Sequence, residues 1–166
     1  MFDQSIDVKQ YNADKVSYYQ QLNQQLESLL SIERNMTTNM AQTAAFIFNS
    51  VPDLNWTGFY CADSRHGLIL GPYQGKVACV HIAIGKGVCG SAAARQQSVK
   101  VDDVNSFDGH IACDAASQSE IVIPLLLDNK LVGVLDIDSP TLNRFDENDL
   151  KGLESLAATF IAATDF

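Results

Sequence analysis

Glu120-Ile-Val-Ile-Pro-Leu-Leu-Leu-Asp-Asn-Lys-Leu-Val-Gly-Val-Leu-Asp-Ile-Asp138 reads as two apolar, β-branched stretches on either side of a short polar turn. Residues 120–127 and 131–138 are strand-like, and Asp128-Asn-Lys130 is compact enough to fold them into an antiparallel pair. The same texture recurs upstream. Trp56-Thr-Gly-Phe-Tyr-Cys61 and Gly67-Leu-Ile-Leu70 form a second hairpin around Asp63-Ser-Arg-His-Gly67, and Cys79-Val-His-Ile-Ala-Ile84 adds a third strand. Gly85 to Arg95 passes from a glycine turn into an alanine-rich helix, and Ser98 to Asp102 returns as a short strand. Residues 103–119 read as a long polar surface loop, and loops of that length in compact domains are often functional.

Helices bracket these strands. From Asp14, the apolar positions Val16, Tyr19, Leu22, Leu26, Leu29 and Leu30 recur at three- and four-residue steps. Met36, Met40, Ala44 and Phe48 give a second helix that Pro52 closes, and Asp146-Glu-Asn-Asp149 caps a last one carrying Leu150, Leu153, Leu156, Phe160 and Ile161. The order is two helices, three strands, helix, three strands, helix. It predicts an α+β domain, a mainly antiparallel sheet covered by helices, over residues 14–166. Residues 1–13 are polar and aperiodic and read as a flexible N-terminal tail.

Composition narrows the function. The chain has 166 residues, of which 46% are hydrophobic, enough for one domain with its own core. A formal net charge of -9 disfavours nucleic acid and anionic membrane surfaces as partners. The N-terminal sequence lacks a secretory pattern and no apolar run could cross a bilayer, so the expectation is a cytoplasmic protein whose four cysteines are reduced or catalytic. Apolar helix faces near both ends of the chain leave room for a homodimer.

The cysteines and carboxylates carry the chemistry. Cys61 ends a strand of aromatic and β-branched residues and reads as packing. Cys89 stands at the mouth of a predicted helix after Gly85 and Gly87, where backbone N–H groups and the helix dipole lower a thiol pKa, although packing under a glycine turn explains it equally well. Cys113 lies in the polar loop, with His110 to assist its thiolate and Asp114 to oppose it. Local physics therefore ranks Cys89 as the more acidic thiol. Asp136 and Asp138, two apart on a strand, share a face; a solvated strand end is the commoner explanation, while a pocket shared with Glu120 would bind an ammonium group and hold a proton. A metal centre is disfavoured because no Cys-x-x-Cys or His-x-x-x-His pair is present.

Six runs together are specific. They are Asn55-Trp-Thr-Gly-Phe-Tyr60, Leu70-Gly-Pro-Tyr-Gln-Gly-Lys-Val-Ala-Cys79, Gly85-Lys-Gly-Val-Cys-Gly90, Phe107-Asp-Gly-His-Ile-Ala-Cys-Asp-Ala-Ala-Ser117, Ser119-Glu-Ile-Val-Ile-Pro124 and Gly133-Val-Leu-Asp-Ile-Asp-Ser139. Their combination resembles the free methionine-(R)-sulfoxide reductases, single GAF-domain enzymes. The resemblance implies a GAF-like six-stranded antiparallel sheet with helices on both faces. It also implies reduction of free L-methionine (R)-S-oxide through thiol attack, a sulfenic acid and an intramolecular disulfide, with thioredoxin as reductant and no metal or organic cofactor. Carried onto this sequence, Cys113 attacks sulfur, Cys79 resolves, and Cys89 is a third thiol of the relay. Glu120, Asp136 and Asp138 bind substrate, and Trp56 and Tyr60 wall its methyl-thioether end. The competing readings are a non-enzymatic GAF module that senses an amino acid or amine, and a metal-binding redox sensor.

Overall fold

The computed structural model describes residues 8–109 and 115–166. Among them, five helices and six strands run in the order α1 (Val8–Ala13), α2 (Lys15–Leu30), α3 (Met36–Ser50), β1 (Trp56–Asp63), β2 (Gly67–Gly75), β3 (His81–Ile82), α4 (Gly87–Arg95), β4 (Val99–Val101), β5 (Ser119–Leu127), β6 (Lys130–Ser139) and α5 (Glu147–Ala162). The strands form one antiparallel sheet in the order β3-β2-β1-β6-β5-β4. The expected α+β architecture is the one found.

Strand alternation divides the sheet into two faces. Phe59, Ile121, Ile123, Leu125, Leu135 and Ile137 point to one side and pack with Leu22, Leu26, Ile47, Leu156 and Phe160 from α2, α3 and α5. Trp56, Tyr60, Val122 and Val134 point to the other, against Val88, Cys89, Ala92 and Ala93 of α4. Helices thus cover both faces, but unequally.

The β5–β6 hairpin is the pair the sequence predicts. Leu127 pairs with Lys130, and both intervening residues, Asp128 and Asn129, have positive φ of 50° and 62°. Two left-handed residues in succession make a type I′ turn, whose twist matches the strands. The α5 start is likewise as read. The Asp146 side chain accepts from the N–H groups of Asn148 and Asp149, and the Asp149 side chain accepts from the Asp146 N–H.

Three boundaries differ. Strand β2 continues past Leu70 to Gly75, because a bulge opposite Phe59 absorbs Gly71 and Pro72. Strand β3 shrinks to His81–Ile82, leaving 76–80 without regular structure. The flexible tail expected over residues 1–13 is wrong for Val8–Ala13, which is helix α1. Tyr11 is buried and stands edge-on to the Tyr18 and Tyr19 rings, and its hydroxyl donates to Asp149. Asp149 is fully buried and also accepts from Tyr19, Lys15 and Arg144 at 2.9, 2.7 and 3.4 Å. One aromatic residue among polar ones has no periodicity, yet a buried carboxylate 138 residues away fixes it. No helix among the described residues is long and apolar enough to cross a membrane.

Candidate active site

Pairing register assembles the carboxylates on the α4 side of the sheet. Glu120 on β5 lies directly across from Asp138 on β6, and Val122 across from Asp136. On the other flank of β6, Trp56 pairs with Asp138 and Gly58 with Asp136. Glu120, Asp136, Asp138, Trp56 and Tyr60 therefore share one face, as the two-residue alternation from Trp56 to Tyr60 and from Asp136 to Asp138 requires. Glu120 and Asp136 are buried and Asp138 is half-buried. The solvated strand end that the sequence left open for the aspartates is excluded for Asp136.

Aromatic rings wall this row. Trp56 stacks on Tyr73 with centroids 5.1 Å apart and on Tyr60 at 6.0 Å. Gly58 makes the stack fit, since a Cβ there would stand 2.2 Å from Tyr73 Cβ and 2.7 Å from the Trp56 ring. Tyr73 and Gly58 were not among the predicted site residues. Their signal would have been the register with Trp56, which the unforeseen bulge in β2 conceals.

Cys89 comes down onto the acids from α4. The glycine turn brings it there: Gly85 and Gly87 adopt positive φ, and a Cβ on Gly90 would meet the Ala83 carbonyl at 2.3 Å, so the helix start sits tightly on the strand end. Cys89 Sγ and carboxylate oxygens of Glu120 and Asp136 all lie within 4.8 Å of one another.

The electrostatics of this cluster overturn the local reading of Cys89. Burial, and then the charges of Asp136 and Glu120, push its thiol well above the ordinary range rather than below it. A helix start contributes a fraction of a charge, whereas the acids across the sheet act at short range in a desolvated site. Glu120 is pushed well above the carboxylate range by burial and then by Asp136 and Asp138. Asp136 is raised by burial only to about 6, because the Cys89 thiol, the Glu120 carboxyl and the Ile137 N–H all donate to it. At neutral pH the cluster holds Cys89 as a neutral thiol beside two carboxyls, Glu120 and Asp136, that burial makes harder to ionise. A metal ion on these three residues would first have to displace the Cys89 proton. Tyr60 is raised by burial and by Asp136 and keeps its hydroxyl proton.

Other predicted residues sit nearby or elsewhere. Cys79 is half-buried in the segment after β2, packs against the α4-side core and is disulfide-bonded. Cys61 is half-buried on the opposite face, its sulfur 3.8 Å from that of Met40, consistent with packing. Cys113 and its neighbours His110 and Asp114 lie outside the described residues.

The GAF domain family matches residues 37–164. The free methionine-R-sulfoxide reductase of Escherichia coli is 46% identical over 156 residues, covering 92% of this chain and 94% of that one. The protein of the same name from Saccharomyces cerevisiae is 44% identical, covering 89% and 91%. The free methionine-R-sulfoxide reductase of Neisseria meningitidis, solved in complex with its substrate, superposes with a TM-score of 0.86 at 42% identity, covering 90% of each chain. On these identities and coverages, the chain belongs to the free methionine-R-sulfoxide reductase family of GAF-domain proteins.

Proposed function

We propose that this protein reduces free methionine (R)-sulfoxide to methionine. The observation that carries the reading is the state of the acid row. Asp136 is a buried carboxylate whose Oδ1 has no hydrogen-bond partner among the described residues, and burial, Asp136 and Asp138 push the Glu120 carboxyl beside it well above the carboxylate range. A buried acceptor of this kind is costly until a donor arrives, and the α-ammonium of a free amino acid is such a donor. In this reading Glu120 protonates the departing sulfoxide oxygen, and the Trp56, Tyr60 and Tyr73 rings wall the methyl-thioether.

The chemistry follows in balanced steps. The Cys113 sulfur attacks the sulfoxide sulfur as Glu120 gives its proton to the oxygen. That hydroxyl then passes to the Cys113 sulfur as the new sulfur–sulfur bond breaks, leaving methionine and a Cys113 sulfenic acid, while the thiol proton returns to Glu120. The Cys79 thiol then condenses with it, forming the disulfide and releasing water. Thioredoxin, as a dithiol, reduces that disulfide and resets both cysteines. Restriction to the free amino acid has a physical origin in Asp136: a peptide-bound substrate brings no ammonium and leaves the carboxylate desolvated and unpaired.

The test is NADPH oxidation with thioredoxin and thioredoxin reductase, on the R and S epimers of free methionine sulfoxide and on the N-acetylated R form. Turnover is expected with free R only. Cys113→Ser abolishes even one turnover, and Cys79→Ser still releases one methionine per chain. Equal activity on the N-acetylated form refutes the role of the acids, and a single turnover surviving in Cys113→Ser refutes the assignment of the nucleophile.

A further inference from the structure

Resting on the reading that Cys79 resolves the sulfenic acid, we propose that the Tyr60 hydroxyl and the Trp56 indole N–H are positioning groups for that step, pinning the backbone that carries Cys79. Residues 76–80 have no regular structure, and Lys76, Val77 and Val80 are exposed. Two side chains from the central strand β1 nevertheless hold this segment. The Tyr60 hydroxyl donates to the Cys79 carbonyl at 3.0 Å, and Trp56 Nε1 donates to the Lys76 carbonyl at 3.0 Å. A third bond, from the Leu70 N–H to the Val80 carbonyl at 2.9 Å, anchors the far end.

The anchors are buried, whereas most of the segment they hold is exposed. Tyr60 and Trp56 are buried, stacked on each other, and rooted between β2 and β6. Neither donor can swing away without breaking the aromatic stack. Both hydrogen bonds are present while Cys79 is disulfide-bonded, so they are compatible with its oxidised form. Disulfide formation needs the two α-carbons within about 4.4–6.8 Å, a window that an untethered exposed segment visits only part of the time. Fixing the Cys79 backbone raises the effective concentration of its thiol at the sulfenic acid. The same two residues that wall the substrate thereby couple its binding surface to the second thiol.

Tyr60→Phe separates the two roles, because it keeps the ring that walls the pocket and deletes only the donor. Reduced wild-type and variant proteins are mixed with one equivalent of free methionine (R)-sulfoxide without reductant. Methionine, disulfide and the dimedone adduct of the sulfenic acid are then measured over time by mass spectrometry. We expect disulfide formation to slow about three- to tenfold relative to methionine release, the worth of one neutral hydrogen bond, with the dimedone adduct accumulating. Trp56→Phe shifts the same ratio in the same direction. A purely structural role lowers both steps together and leaves the adduct-to-disulfide ratio at the wild-type value, and that result in Tyr60→Phe overturns the proposal. If wild type itself forms no methionine, the reductase reading fails with it; if wild type turns over and the ratio is unmoved, only the positioning role fails.

Discussion

Replacing Asp136 by asparagine should stabilise the protein, and by an amount that depends on pH. The folded state raises the Asp136 carboxyl from its ordinary 3.8 to about 6, burial being the main cause. A raised carboxyl binds its proton more tightly when folded than when unfolded. Its stabilising contribution is therefore complete below pH 3.8 and is lost as pH rises through about 6. At about 1.4 kcal/mol per pH unit, the whole span costs about 3 kcal/mol above neutrality, of which about 2 kcal/mol falls between pH 4.5 and pH 8. Asparagine does not titrate and avoids that loss. Removing the Asp136 charge also lowers the Glu120 carboxyl toward its ordinary value, which flattens the profile further. The assay is thermal or urea unfolding of reduced wild type and Asp136→Asn across this range. The variant should gain about 4–8 °C in Tm relative to wild type on going from pH 4.5 to pH 8. A difference that is flat with pH, or that grows toward acid, refutes the argument that Asp136 is held ionised at a cost in the folded site.

Three other perturbations test separate parts of the structure. Cys89, buried and raised by its acid neighbours, should alkylate with iodoacetamide at pH 8 at least about tenfold more slowly in the native reduced protein than in urea; labelling at the unfolded rate refutes its neutral state. Asp149→Asn removes the buried charge that Lys15 and Arg144 share with the Tyr11 and Tyr19 hydroxyls, leaving Lys15 to Asp146 and Arg144 to the Pro52 carbonyl, and should cost about 3 kcal/mol in urea unfolding, whereas a loss below about 1 kcal/mol shows that the network does not anchor α1. Gly152→Ala should destabilise by about 1–3 kcal/mol despite the better helix propensity of alanine, because the new Cβ would stand 2.1 Å from the Tyr19 ring; a gain in stability shows that this ring can step aside.

What was legible in the sequence is what short-range periodicity encodes. The three- and four-residue rhythm of Leu22, Leu26 and Leu30 gave α2, the Asp128-Asn129 turn gave the β5–β6 hairpin, and alternation put Asp136 and Asp138 on one face. Helix α1 was not legible, because Tyr11 acquires its meaning only from Asp149 at the far end of the chain. The acidity of Cys89 was misjudged for the same reason. Its own segment supplies a helix start, while Glu120 and Asp136 reach it through sheet register that no local pattern displays. The substrate-binding and catalytic residues themselves came from the family resemblance, which compresses long-range information that one sequence does not state.

The sheet separates two kinds of mutational risk. On the side of α2, α3 and α5, Leu26, Ile47, Leu156 and Phe160 form an apolar interior with no residue assigned to chemistry. On the α4 side, Cys89, Trp56 and Tyr60 are packing and machinery at once. Substitutions that raise thermal tolerance can accumulate behind the sheet while the reacting surface stays fixed, and changes in ligand preference can be tried on the α4 side with that interior as a reserve. The long-range register of β1, β5 and β6 is the shared boundary, and a drift of a single residue there would abolish both at once.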